Sequence, residues 1–207
     1  FPREAQEDVW TKNPNALIAS GLAPSGSVRR VPGGFRLNGR WGFSSGSAHA
    51  DWTFVQSLLP DENSAGPPTS SYFLLPRADW QIIDTWKVIG LCGTGSNDIE
   101  IADAFVPAHR VLQVSDANEG SGPGIQFNDG PLFRLPRAAT VPFSLGAPAL
   151  GIAQSMYDSF IDNMRPRASR GFSLAEQQTI QMRVAEAAAE IDAARLLLQR
   201  DCKESMR

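Results

Sequence analysis

The sequence predicts an α+β fold: an antiparallel β-barrel or sandwich followed by antiparallel helices. Three observations carry this. Between Leu17 and Leu112, short apolar runs alternate with Gly, Pro, Asn and Ser turn signals, which indicates an all-β unit and not βαβ repeats. A Gly-rich polar stretch, Ser115 to Asp129, then reads as a boundary. Beyond it, apolar residues recur at helical spacing, first at Leu145, Ala149, Ile152, Met156 and Phe160, then at Ile180, Val184, Ala188, Ile191 and Leu198. The expected division is residues 1–130 for the β domain, with a short N-terminal linker, and residues 131–207 for the start of a helical domain.

In chain order, Phe1 to Trp10 reads as the tail of a helix or a linker, and Leu17 to Ser20 as a short strand. The strand runs into Gly21-Leu22-Ala23-Pro24-Ser25-Gly26-Ser27, a loop whose N–H groups suit an anion or a cofactor edge. Val28 to Val31, Phe35 to Asn38 and Arg40 to Phe43 form a meander. Its turns are Pro32-Gly33-Gly34 and Asn38-Gly39, the second a strong hairpin signal. Asp51 to Leu59, Tyr72 to Leu75, Trp80 to Asp84, Trp86 to Ile89 and Ile99 to Phe105 follow as strands, with a loop from Asp61 to Ser70. The first helix is expected to about Met164, with Pro148 in its first turn or kinking it, and Arg165-Pro166 ending it. Ser173 and Glu176 form a capping box that opens the second helix.

Composition narrows the function. The 207 residues carry a formal net charge of −3, so no basic excess argues for nucleic acid. No apolar run approaches the ~20 residues that span a bilayer. Cys92 and Cys202 lack metal-ligand spacing, and His49 and His109 are too few for a His-based site, so no metal is expected. The free cysteines fit a cytoplasmic setting. Starting at Phe1 and stopping inside a helical pattern, the chain reads as an excerpt of a longer protein.

The stretch Asn38 to Trp52 concentrates the chemistry. Trp41 and Phe43 stand beside Ser44, Ser45, Gly46 and Ser47, where small residues admit a close approach and hydroxyls offer donors and acceptors. A planar heterocycle with polar edges, such as a flavin, suits that surface. Gly42-Phe43-Ser44-Ser45-Gly46 also matches the nucleophile elbow of serine hydrolases, with Ser44 attacking and His109 as base, but the required strand before and helix after it are not indicated. Gly90-Leu91-Cys92-Gly93-Thr94-Gly95-Ser96 is a second Gly-rich loop, without the ending of a P-loop or the spacing of a Rossmann turn.

Asn38-Gly39, the aromatic-x-Ser-Ser-Gly run and Ala50-Asp51-Trp52 together resemble the middle domain of the acyl-CoA dehydrogenase superfamily. The Trp-x-Phe-x-Ser-Gly and His-Ala-x-Trp wording resembles one branch, the oxygenase components of two-component flavin monooxygenases that hydroxylate phenols. Gly93-Thr94-Gly95-Ser96 is similar to a family loop that precedes a strand ending in Phe-Val-Pro, here Phe105-Val106-Pro107, with Cys92 where an arginine is common. The resemblance implies a C-terminal helical bundle and reduced FMN or FAD supplied by a separate flavin reductase. It further implies molecular oxygen, a small aromatic substrate and a homo-oligomer, by family habit a tetramer. It implies that Ser45 hydrogen-bonds flavin N5 and that Ser20 orients the phenol. Trp41, Phe43, Ser44, Gly46, Thr94 and Ser96 would contact the cofactor, and the base would lie beyond residue 207. The alternatives are an acyl-CoA dehydrogenase-type oxidoreductase, a serine hydrolase, and a non-catalytic interaction module.

Overall fold

The computed structural model describes residues 1–60 and 67–206. The chain divides into two compact units, Phe1–Arg134 and Leu135–Arg207. Helix α1 (Arg3–Trp10) opens the first unit. Strands β1 (Ile18–Gly21), β4 (Trp52–Leu59), β5 (Thr69–Pro76) and β8 (Val111–Gln113) form one sheet in the order β1-β4-β5-β8. Strands β2 (Ser27–Val31), β3 (Gly34–Ser44), β7 (Asn97–Pro107) and β6 (Gln81–Ile83) form a second, ordered β2-β3-β7-β6. Two open sheets face each other, so the architecture is a sandwich and not a closed barrel. Among the described residues all pairings in these sheets are antiparallel except β1 with β4, which is parallel with Ile18 opposite Trp52.

Leu37, Trp41, Val55, Phe73, Leu75 and Ile99 are fully buried between the sheets. Strand β5 is apolar at four consecutive positions, Tyr72 to Leu75, because both its faces are covered. Phe73 and Leu75 enter the main core, while Leu74 meets Ala5, Val9 and Ala16 beneath α1. Burying a side chain such as Phe73 is worth about 1.5–3 kcal/mol, so strands covered on both faces anchor the unit.

Asn38-Gly39 is not a hairpin. Strand β3 runs unbroken from Gly34 to Ser44, and its register against β7 shifts between Leu37 and Gly39. Across the shift β7 carries the extra residue, with Asp103 at φ 47. Gly39 has φ 151, and a Cβ there would stand 2.4 Å from Gly26 Cα, so close approach of the 21–27 loop is what demands glycine. A second shift, between Trp41 and Ser44, loops Gly42 and Phe43 out of β3. Trp86 to Ile89 is not a strand: Asn97 Oδ1 accepts from the N–H groups of Thr85 and Trp86 at 3.0 Å, which turns the backbone away from a ladder. In the expected loop from Asp61 to Ser70, residues 61–66 lie outside the described residues and Thr69-Ser70 already belong to β5. The stretch Ser115 to Asp129 is folded, with helix α2 (Val114–Glu119) and a 3-10 turn at Pro123–Gln126.

The second unit is a pair of helices, α3 (Arg137–Met164) and α4 (Gln178–Ser205). Helix α3 begins well before Leu145 and passes through both Pro142 and Pro148. Between the helices, β9 (Ala168–Ser169) pairs with β10 (Phe172–Ser173) around Arg170 and Gly171, both at positive φ. That small hairpin overturns the capping box. Ser173 is held extended opposite Ala168, and α4 starts later, behind Gln177, without a side-chain cap. Gly146 lies 3.5 Å from Leu198 by its Cβ position, and Arg195 donates to Gln154, so the helices run antiparallel. Leu145, Ile152 and Met156 stay exposed along α3.

Candidate functional site

The bulge that ends β3 builds the site. Looping out Gly42 and Phe43 turns the Phe43 ring to the surface, where it is 75% exposed. Phe43 sits at φ 58, a left-handed conformation that costs a non-glycine residue on the order of 1 kcal/mol or more. Its ring meets Trp86 edge-on at 6.0 Å between centroids. Behind it, Arg40 Nε pairs with Asp98 at 2.7 Å, and Asp98 N–H donates to Thr85 Oγ1 at 2.9 Å, fastening the 84–96 loop to β3.

The two loops singled out in the sequence come together here, although about fifty residues separate them. Gly46 N–H donates to the Thr94 carbonyl at 2.8 Å. The hydroxyls of Ser45 and Ser96 lie 2.8 Å apart, and those of Ser96 and Thr94 lie 2.7 Å apart. Ser45, Phe43 and Gly46 face solvent, while Ser96 is nearly buried. At Gly46, Gly93 and Gly95 a Cβ would meet nothing within 4 Å, so a ligand can approach this backbone directly.

Two expected contact residues are corrected. Trp41 is fully buried and cannot wall a ligand. Its indole N–H donates to the Gln56 carbonyl at 2.8 Å, linking one sheet to the other, and its ring fills the space against Gly21 and Gly26. Ser44 is equally buried, with its hydroxyl unpartnered, so it too is out of reach of a ligand. Ser20 lies half-buried in β1 opposite Phe54, and its hydroxyl is not part of the Ser45–Ser96–Thr94 chain. The 21–27 loop is more occupied than the sequence suggested: Ser25 N–H donates to Gln56 and its hydroxyl to Arg40.

Geometry also removes the hydrolase reading. Ser44 closes β3, whereas His109 follows Pro107, which pairs with Gly34 at the other end of that strand. Ten residues of strand at ~3.3 Å each separate them by roughly 30 Å. His109 is engaged elsewhere, its Nε2 lying 2.7 Å from Asp8 of α1 and its Nδ1 3.5 Å from Glu4. Arg110 donates to the same Asp8 oxygen at 2.6 Å and lies over the Trp52 ring at 5.0 Å. Burial raises the Asp8 pKa, but the hydrogen bonds and charges of Arg110 and His109 outweigh it and hold the carboxyl below its ordinary range. Sequence reasoning missed this cluster because Asp8 and His109 are joined only by the docking of α1. Among the described residues no group of three His, Cys, Asp or Glu is placed to hold a metal, and no helix is long and apolar enough to cross a membrane.

Residues 143–207 match the family described as acyl-CoA dehydrogenase, C-terminal domain. The chain is 41% identical over 209 residues to the oxygenase component of the FADH(2)-dependent resorcinol hydroxylase of Rhizobium sp. (strain MTP-10005), covering 97% of this chain and 51% of that protein. Its fold superposes on the crystal structure of 3-HSA hydroxylase from Rhodococcus sp. RHA1 with a TM-score of 0.90 at 35% identity, covering 99% of this chain and 53% of that one. XiaF from Streptomyces sp., in complex with FADH2 and glycerol, gives a TM-score of 0.88 at 29% identity, covering 100% of this chain and 52% of that one. The chain spans about half the length of the curated relatives it matches. The sandwich and helix pair are thus similar, over nearly the whole chain, to oxygenase components of flavin-dependent hydroxylases, and residues 143–207 carry the acyl-CoA dehydrogenase C-terminal domain match.

Proposed function

We propose that the protein is the oxygenase component of a two-component monooxygenase that hydroxylates a small phenol with reduced FMN or FAD. Kinship with oxygenase components along nearly the whole chain carries this reading. The joined 43–46 and 91–96 loops fit a flavin edge: open space over three glycines, an exposed aromatic ring, and surface hydroxyls. The bound reduced flavin would supply the activation of molecular oxygen. This chain would contribute Ser45 as hydrogen-bond partner of flavin N5, and Phe43 with Leu91 as apolar cover against water. Ser20, near the end of β1, would orient the phenol oxygen. A separate reductase would deliver the flavin in a cytoplasmic setting. The apolar stripe on α3 supports a homo-oligomer, by family habit a tetramer.

The test uses the full-length protein with chemically reduced flavin, oxygen and a panel of phenols. Catechol-type products are expected, and acyl-CoA substrates should leave the flavin unreduced. Ser45→Ala is expected to change flavin affinity by less than about tenfold, since one hydrogen bond is worth about 0.5–1.5 kcal/mol net, while more oxygen escapes as hydrogen peroxide. Flavin reduction by an acyl-CoA, with no phenol oxidised, would overturn the reading.

A further inference from the structure

The hydroxyls around Ser45 form a chain whose direction is fixed from one end. A hydroxyl has one proton to donate and two lone pairs with which to accept. Thr94 Oγ1 lies 3.0 Å from the Leu91 carbonyl oxygen, which can only accept, so Thr94 donates there. Its proton is then committed, and in the 2.7 Å contact between Thr94 and Ser96 the donor must be Ser96. With that proton also committed, Ser45 donates in its 2.8 Å contact with Ser96. What Ser45 still presents at the surface is lone pairs alone. The Leu91 carbonyl is fixed in place, since the Trp86 indole N–H at 3.0 Å and the Thr94 N–H at 3.1 Å share its lone pairs with the Thr94 hydroxyl. Ser96, the middle of the chain, is 5% exposed, so bulk water does not compete for its bonds.

We propose that Thr94, acting through Ser96, is a positioning residue that makes Ser45 a hydrogen-bond acceptor and thereby selects reduced over oxidised flavin. This rests on the flavin reading above. In reduced flavin N5 carries a hydrogen and donates; in oxidised flavin N5 carries only a lone pair and accepts. An acceptor at Ser45 pairs with the first and sets lone pair against lone pair with the second. One such hydrogen bond, made in one redox state and opposed in the other, corresponds to about a tenfold preference. The same preference raises the midpoint potential of the bound flavin by about 30 mV, at 29.6 mV per tenfold for a two-electron couple.

Spectroelectrochemistry and anaerobic titration of the full-length protein with FMN and FAD test this, with Thr94→Val, Thr94→Ser and Ser96→Ala beside the wild type. The wild type is expected to bind reduced flavin more tightly than oxidised. Thr94→Val frees the Ser96 proton to point at Ser45, so that the Ser45 proton turns outward; Ser96→Ala frees the Ser45 proton directly. Both variants should lose about tenfold of the preference for the reduced form and lower the potential by about 30 mV. Thr94→Ser should behave as wild type, because it restores the hydroxyl. A potential unmoved in both variants, or a parallel loss of affinity for both redox forms, would overturn the inference while leaving the flavin reading in place. Absence of any flavin binding by the wild-type protein would overturn both.

Discussion

Trp41 and Phe43, two residues apart on one strand, have opposite fates. The bulge between Trp41 and Ser44 turns the first into the core and the second into solvent. Trp41→Ala is expected to destabilise the first unit by about 3–5 kcal/mol, through lost burial and an unfilled cavity, and urea unfolding measures it. Phe43→Ala should cost little stability, because its ring is already exposed and its left-handed φ is relieved only by glycine. At this scale Ser45 and Gly46 stood out by residue type, Thr94 and Ser96 only through the resemblance of their loop, and the fold brings these four together. Their mutual contact was not legible, since local pattern says nothing about loops fifty residues apart. Nor was the burial of Trp41 and Ser44, which turns on a single looped-out pair.

Elements carry a different lesson. Most strand positions followed from apolar runs, because burial demands them whatever the partner, but Trp86 to Ile89 formed no strand and Val111–Gln113 formed one unannounced. Turn chemistry was less informative: glycine with positive φ served a bulge and a close contact at Gly39, not a hairpin, while the true tight turn at Arg170-Gly171 went unread. The docking of α1 has a pH signature. The folded pKa of Asp8 lies below its ordinary value of 3.8. Stability from that depression is therefore fully present above pH 3.8 and is lost as pH falls through the lower, folded value. Asp8→Asn should cost about 1–2 kcal/mol at pH 7, allowing for partial solvent screening, and should flatten the acid limb of the stability curve. Denaturant melts of both proteins between pH 2 and 7 read this directly.

At the scale of the molecule, the two units are held by different means. The sandwich closes its own core, whereas the α3–α4 pair leaves Leu145, Ile152 and Met156 facing outward. Two helices cannot cover an apolar face on each side, so a further surface has to do so. Met156→Glu is expected to shift the full-length protein towards smaller species in sedimentation velocity while leaving the β unit's near-ultraviolet spectrum intact. An unchanged sedimentation profile would assign that stripe to contacts within one subunit.

The long pairing of β3 with β7 also imposes a schedule. Strand β3 ends at Ser44 and β7 begins at Asn97, so 52 residues must be made between them. At a synthesis rate of about 5–20 residues per second, β3 waits roughly 3–10 s with only β2 beside it. For that interval it presents an unpaired edge on a growing chain, and Arg36 and Arg40 are charges of the kind that disfavour edge-to-edge pairing. In the finished fold the same two arginines turn to Asp103 and Asp98 of β7, so charges left open while the chain is short clasp the correct pairing once it is made.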